Sequence, residues 1–259
     1  MRFESPAQLL LPLLRRAPRP APAGDRFVVA GFDKTYPVTV VRHPRARNYN
    51  LRIREASREA VLTMPRRGSL REARAFAERN ARWIAARLER LPVPVPFVDG
   101  AEFPLRGVPH RIEHRMRARG TAWIEERDGA AVLCVAGAPE HVGRRVGDYL
   151  RREARRDLAQ ASRRFAAALG VKISRVGVRD TASRWGSCSA EGSLSYSWRL
   201  ILAPAFVLEY LAAHEIAHRI ELNHSPRFWR VVDRLVPDRH RAEAWLKAHG
   251  NGLHRYGAG

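Results

Sequence analysis

The chain has 259 residues, of which 45% are hydrophobic and 28% charged, a composition typical of a globular protein. Its charge is unbalanced, because 47 Lys+Arg face 26 Asp+Glu and give a formal net charge of +21. No stretch is apolar over the length needed to span a bilayer, and two cysteines, Cys134 and Cys188, are too few for a disulfide framework. These features exclude a membrane-spanning protein and a disulfide-stabilised secreted domain, so we expect a cytoplasmic protein with no membrane partner.

The first 25 residues are predicted to be a flexible leader, because residues 15–25 interleave prolines with alanine and arginine. The apolar run Gln8–Leu14 is short and contains Pro12, which is not typical of a signal peptide.

Residues 26–138 are predicted to form a β-rich N-terminal region with one helix. β-Branched and polar residues alternate from Phe27 to Val41 and from Tyr49 to Met64, which indicates two or three antiparallel strands. Apolar residues then recur at helical spacing from Ser69 to about Leu91. Asp128-Gly129 is a two-residue turn signal, so we expect a hairpin around it.

Residues 139–255 are predicted to form a second domain that begins with a long helix, from about Glu140 to Leu169, capped by Gly170. One side of this helix is apolar. The other side is rich in arginine: Arg144, Arg145, Arg151, Arg152, Arg155, Arg156 and Arg163. Such a stripe is either a docking surface for nucleic acid or another acidic partner, or the solvated face of an amphipathic helix. A coding bias toward arginine also explains the near absence of lysine.

Three short strands are predicted next, at Val171–Val178, Ser183–Ser189 and Ser193–Leu202. A helix from Phe206 to Glu221 follows, opened by a proline. Ser225-Pro226 has the form of an N-cap and first helical residue, so another helix is expected there. The last helix is predicted around Arg241 to Ala248, with frayed residues from Gly250 onward.

The stretch with the most specific chemistry is His-Glu-Ile-Ala-His at residues 214–218. On a helix, His214 and His218 lie one turn apart on the same face, where two imidazoles can bind one metal ion. Glu215 then lies beside the metal as a base for water, and His224 is available as a third ligand if Asn223 turns the chain. Three histidines leave one tetrahedral position open, which is typical of a catalytic zinc ion. Cys188 is interpreted as a packed residue rather than a fourth ligand.

A larger set of segments resembles the YgjP-like metallopeptidase domain proteins of bacteria. These segments are Arg184-Trp-Gly-Ser-Cys-Ser189, Trp198-Arg-Leu-Ile-Leu-Ala-Pro204, Tyr210 with His214–His218, and Asn223-His-Ser-Pro-Arg-Phe-Trp229. The resemblance covers nearly all of the chain after residue 25. It departs from the family pattern at Ala217, Glu209 and Ser197.

The resemblance implies an α+β fold, with an antiparallel β-rich N-terminal part and a C-terminal zincin-like domain that has a small sheet and the His-Glu-x-x-His helix. It implies that His214, His218 and His224 bind Zn²⁺ and that Glu215 is the catalytic glutamate. It also suggests that a peptide or protein substrate pairs with the strand from Arg184 to Cys188. Arg184 and Trp185 are candidates to line that cleft, and Arg184 and Tyr210 are candidates to stabilise an oxyanion.

Two alternatives stay open. Nucleotide pyrophosphohydrolase activity is attached to some members of the family, and the arginine excess suits a triphosphate, but the sequence has no Gly-rich phosphate loop. A protease associated with nucleic acid through its arginine-rich surface is the other.

Overall fold

The computed structural model describes residues 25–31, 34–54, 57–181 and 184–257. The predicted leader, residues 1–25, lies outside them except for Asp25. The described chain mixes α-helices and β-sheets, so the predicted α+β fold class is confirmed. Two compact units are present, Met1–Val93 and Pro94–Gly259.

The first unit contains a four-stranded sheet with the strand order β1-β2-β4-β3 in its described part. The strands are β1 (Arg26–Gly31), β2 (Lys34–His43), β3 (Asn50–Arg54) and β4 (Glu59–Pro65). The prediction of two or three antiparallel strands was wrong in two respects, because there are four and because β2 and β4 run parallel. The alternation of apolar and polar residues along a strand indicates which face is buried, but it does not indicate the direction of the neighbouring strand.

Two helices cover this sheet, α1 (Leu70–Arg79) and α2 (Ala81–Glu89). The predicted single helix from Ser69 to Leu91 is interrupted at Asn80, whose φ and ψ are −103° and 12°. The Asn80 side-chain amide donates to the carbonyl of Phe76 at 2.8 Å, which satisfies one of the last carbonyls of α1.

The second unit begins with another four-stranded sheet, in the order β5-β6-β8-β7. Its strands are β5 (Glu102–Leu105), β6 (Val108–Arg115), β7 (Ala122–Arg127) and β8 (Ala130–Ala136). The hairpin at Asp128-Gly129 is confirmed, and both turn residues have positive φ, 51° and 75°.

This sheet shares one apolar core with the helices that follow it, since Phe103 and Leu133 belong to the same buried cluster as Leu211. The division by packing therefore falls between Val93 and Pro94. A functional boundary at 138/139 stays a prediction.

The long helix α3 (Val142–Leu169) ends at Gly170, whose φ of 65° is left-handed, as predicted. Its arginine-rich side is partly neutralised by carboxylates on the same helix. Arg144 and Arg151 both pair with Asp148, at 3.3 and 3.2 Å, and Arg156 pairs with Glu153 at 2.6 Å.

A small sheet with the order β10-β11-β9 lies next along the chain. Its strands are β9 (Arg175–Arg179), β10 (Gly186–Cys188) and β11 (Ser193–Ser197). They are shorter than predicted, and the last predicted strand gives way to a 3-10 turn at Trp198–Leu202. All five side chains of that turn are buried, so its apolar run reflects burial and not strand structure.

Three helices complete the unit: α4 (Ala205–Ala217), α5 (Pro226–Leu235) and α6 (Arg239–His249). The segment from Gly250 to Arg255 is a 3-10 turn with Leu253 buried, so the prediction of a frayed end there was wrong. The buried guanidinium of Arg199 fixes this segment, because it donates to the carbonyls of Leu253 and Tyr256 at 3.1 and 2.8 Å.

Within the described parts of the chain, no helix combines the length and the apolar character that crossing a bilayer requires.

Candidate metal centre

The site is built on α4, a helix that is apolar on nearly every side. Residues from Tyr210 to Ala217 are all buried, which is expected of a helix in the middle of a core. The helix ends at Ala217 and not at Glu221 as predicted, and His218 is its C-cap with φ −63° and ψ −13°. His218 keeps helical backbone angles, so it still follows His214 by one turn.

The structure brings the three predicted histidines together. His214, His218 and His224 each offer a ligand nitrogen, and these nitrogens all lie within 4.8 Å of one another. The Nε2 atoms of His214 and His224 are 3.0 Å apart, close to the roughly 3.3 Å expected between two nitrogens on one tetrahedral zinc ion. A shared proton can form a hydrogen bond between two of these rings, whereas a metal ion can bind all three.

The protonation of the three rings suits metal binding. Burial lowers the pKa of His214 well below its usual value, lowers that of His218, and lowers that of His224 to about 4. The rings are therefore neutral near pH 7, which is the form that binds metals. The Nδ1 of His218 lies 3.1 Å from the carbonyl of Glu221 and donates to it, which leaves Nε2 as the free nitrogen.

Two aromatic side chains from α5 hold the rings in place. The Phe228 ring lies 4.9 Å from that of His214 and 4.6 Å from those of His218 and His224. The Trp229 ring contacts His214 and His224, at 5.8 and 5.7 Å. The position of α5 follows from its start, where the Ser225 hydroxyl accepts a hydrogen bond from the Phe228 N–H at 3.4 Å, as the Ser-Pro signal predicts.

Glu215 lies on α4 beside His214 and is only 5% exposed. Burial raises the pKa of Glu215 to about 8, and the charge of Arg184 opposes this rise. The carboxyl fits against β10 only because residue 186 is glycine. A β-carbon at that position would come within 2.7 Å of Glu215 Cγ and 2.8 Å of its carboxyl carbon. The sequence showed a glycine in Trp-Gly-Ser-Cys, but nothing in it indicated which side chain occupies the space.

The substrate-binding candidates lie in three different environments. Arg184 is exposed, and Trp185 is half-buried and stacks on His254 with ring centres 5.5 Å apart. Tyr210 is completely buried, and its hydroxyl donates to Glu243 at 3.1 Å, so its position is in the core behind His214. A role of any of the three in substrate binding stays a prediction.

Cys188 is not among the three grouped ligands. Its Sγ donates to the carbonyl of Ser189 at 3.4 Å, and burial, together with the charge of Glu215, raises the pKa of the thiol to about 11. Its partial burial and this local hydrogen bond agree with its interpretation as a packed residue.

Sequence reasoning missed a polar network behind the histidines. Glu243 accepts hydrogen bonds from Tyr210 and from Arg239, the latter at 2.7 Å, and the Arg239 guanidinium lies over the Trp229 ring at 4.4 Å. The network connects α4, α5 and α6 around the site. Tyr210 and Glu243 are 33 positions apart in sequence, so no local pattern indicated it.

A helix that carries His-Glu-x-x-His, completed by a third histidine from the next turn, defines a metallopeptidase type of centre. The family model of the YgjP-like metallopeptidase domain matches residues 47–249, and the chain belongs to this family. The family implies a hydrolase that uses a metal ion, and the three clustered histidines are suited to hold one.

One solved structure that is similar is the crystal structure of the metallopeptidase zymogen of Pyrococcus abyssi, abylysin. It is 21% identical, and the match covers 38% of this chain and 97% of that chain with a TM-score of 0.33. Similarity at that level carries no argument about this chain. Comparison with curated proteins found no match.

Proposed function

We propose that this protein is a zinc-dependent peptidase in which His214, His218 and His224 hold the metal ion and Glu215 is the general base. The observation that carries the proposal is the grouping of three neutral imidazoles, with ligand nitrogens within 4.8 Å of one another, beside a buried carboxyl. Three nitrogen ligands and no thiolate are typical of catalytic rather than structural zinc.

Zinc, when bound, supplies Lewis-acid activation of water and of a substrate carbonyl. Glu215 accepts the proton of the attacking water and delivers it to the leaving amine. Its burial raises the pKa of the carboxyl to about 8, near the working pH, which suits a group that both accepts and returns a proton. With a cation held by the three histidines, the pKa of Glu215 would be lower and its basic form would be favoured before attack.

The substrate is proposed to be an extended peptide that adds to the edge of β10. β10 pairs with β11 on one side and ends the order β10-β11-β9, so among the described residues no strand pairs with its other edge, where a new strand could add. The close approach of Glu215 to Gly186 on β10 supports this proposal, because it puts the proposed base next to that strand.

The test uses purified protein loaded with zinc and a Glu215→Gln variant, each offered an unbiased peptide library and a panel of nucleoside triphosphates. Glu126→Gln is the matched control, because it makes the same change at an exposed glutamate of β7. Peptide cleavage that is lost in Glu215→Gln and kept in Glu126→Gln supports the proposal. Triphosphate turnover without peptide cleavage contradicts it.

A further inference from the structure

The first unit carries an aromatic cleft between its edge strand and its helices. The cleft has a volume of about 280 Å³ and is lined by Tyr49, Asn50, Leu51, Phe76, Asn80 and Trp83. β3, which contributes Asn50 and Leu51, ends the order β1-β2-β4-β3. Asn50 and Leu51 therefore lie on a strand whose outer edge has no strand partner among the described residues.

Three of the lining side chains are aromatic. Trp83 is 46% exposed, and it is the only aromatic among the large hydrophobic side chains that the described residues expose. The rings of Tyr49 and Phe76 lie 6.0 Å apart at 31° to one another. The exposed indole offers a flat apolar face, which is the kind of surface that unstacked bases contact, and the partly buried rings of Tyr49 and Phe76 lie beside it in the lining.

Several arginines lie close in sequence to the residues that line the cleft. Arg47, Arg52, Arg79, Arg82 and Arg87 are all exposed and lie within four positions of a lining residue. Among the described residues of the first unit, ion pairs involve only Arg26, Arg54 and Arg74, so the five around the cleft have no carboxylate partner there. Three arginines of α3 differ, since Arg144, Arg151 and Arg156 are paired with carboxylates on their own helix.

The cleft also has a polar side chain that can form hydrogen bonds with a bound base. The side chain of Asn50 is exposed and makes no hydrogen bond to any described residue, so its amide is free to donate to and accept from a base edge.

We propose that this cleft binds single-stranded nucleic acid, with bases stacked on Trp83 and the Tyr49–Phe76 pair and with phosphates on the surrounding arginines. Unpaired cations match a polyanion, and the exposed indole of Trp83 favours strands whose bases are free to stack. The proposal does not depend on the metal site.

The experiment measures fluorescence anisotropy of a labelled oligothymidylate of about 20 nucleotides with the full chain, at several salt concentrations. Trp83→Leu keeps apolar bulk but removes the ring, and it is expected to weaken binding about tenfold, as for removal of one base–aromatic stack. Trp83→Phe keeps a stacking face and is expected to bind within about threefold of the wild type. Trp245→Leu, at a partly buried tryptophan of α6, is the control and is expected to change nothing.

The charge component is tested with two matched double variants. Arg47→Gln with Arg79→Gln is expected to weaken binding and to flatten the dependence of log K on log salt by about 0.7 for each phosphate that the variant no longer neutralises. Arg144→Gln with Arg151→Gln removes two arginines that pair with Asp148 and is expected to have a smaller effect. If Trp83→Leu fails to fold, the comparison of these two double variants still tests whether the cleft binds the oligonucleotide.

Three results would overturn the proposal. The first is an equal loss of affinity in the two arginine pairs, which indicates diffuse charge attraction. The second is binding of a duplex as tight as that of the single strand. The third is binding of a labelled polyglutamate that matches the oligonucleotide and disappears in Trp83→Leu, which assigns the cleft to acidic peptides. Glu215→Gln is expected to bind the oligonucleotide like the wild type, so failure of the peptidase proposal leaves this one testable.

Discussion

The two units of this protein differ in whether they bury polar side chains. Among the described residues, the second unit contains every buried polar or charged side chain: His110, Glu153, Ser162, Ser197, Arg199, His214, Glu215, His218 and His254. The described core of the first unit is a cluster of apolar side chains such as Val38, Leu62 and Ile84. Burying a polar group costs stability unless a partner compensates it.

This difference between the units indicates where chemistry is to be expected. Some buried groups of the second unit are compensated, as Arg199 is by Asp180 at 2.8 Å. Others lack partners among the described residues, including the Nδ1 atoms of His214, His224 and His254. A group that stays buried without full compensation is a candidate for function, and the described residues of the first unit include no buried polar or charged side chain of this kind.

The largest effect is expected when the buried carboxyl of the site is replaced. Glu215→Gln keeps the shape of the side chain but removes the base, so kcat/KM for a cleaved peptide is expected to fall by about 10³-fold. Metal content, measured by atomic absorption, is expected to be unchanged because Glu215 is not among the grouped ligands. Activity within about tenfold of the wild type would show that another group is the base.

The next effect comes from filling the space that Glu215 occupies. Gly186→Ala forces the carboxyl away from β10 and is expected to cost about 3 kcal/mol of unfolding free energy and most of the peptidase activity. Gly252→Ala is the matched control, because a β-carbon there meets nothing within 4 Å. Chemical denaturation and peptide cleavage measure the two effects, and equal behaviour of the two alanine variants would contradict the close packing of Gly186 on Glu215.

A pH effect is expected from His254, a buried residue of the second unit that lies outside the proposed ligand set. Burial lowers the pKa of His254 to about 4 in the folded protein, against an ordinary value of 6.5. Below pH 6.5 His254 becomes protonated in the unfolded chain but stays neutral in the folded chain, which favours unfolding. The contribution of neutral His254 to stability is therefore complete above pH 6.5. It is lost progressively down to pH 4, with about 3 kcal/mol lost at pH 4.5.

His254→Gln removes this titration. The unfolding free energies of wild type and variant are measured by urea denaturation at pH 8 and at pH 4.5. Between these two pH values the wild type is expected to lose more stability than the variant. A difference that stays constant with pH would mean that His254 does not remain neutral when folded.

The smallest effect compares one helix start in each unit. Ser225→Ala removes a hydroxyl that accepts from Phe228 N–H and is expected to cost about 1 kcal/mol. Ser69→Ala at the start of α1 is the control, since Ser69 makes no side-chain cap hydrogen bond. Thermal unfolding of both variants tests this, and the expectation is wrong if Ser69→Ala is the more harmful change.

Much of the second unit could be predicted because its signals are local. The spacing of His214 and His218, the cap at Ser225 and the turn at Asp128-Gly129 each involve residues a few positions apart, and the structure has the corresponding helices and hairpin. The position of His224 followed from a turn of six residues after His218, which is also short range.

The features that could not be predicted depend on residues far apart in the chain. The parallel pairing of β2 with β4 is decided by sheet topology, and the order of the C-terminal turn depends on the buried Arg199 more than 50 residues earlier. The role of Gly186 required knowledge of which side chain faces it. The break at Asn80 was missed because apolar spacing continues across it, while the side chain competes for the carbonyl of Phe76.

The central claim is that three histidines form one metal site, and metal stoichiometry tests it most directly. The protein is dialysed against zinc, washed, and assayed for bound metal alongside His224→Ala and His240→Ala, which replaces an exposed histidine of α6. We predict one tightly bound zinc ion per chain in the wild type and in His240→Ala, and a loss of affinity of at least about 100-fold in His224→Ala. Equal zinc binding by all three proteins, or none in the wild type, would contradict it.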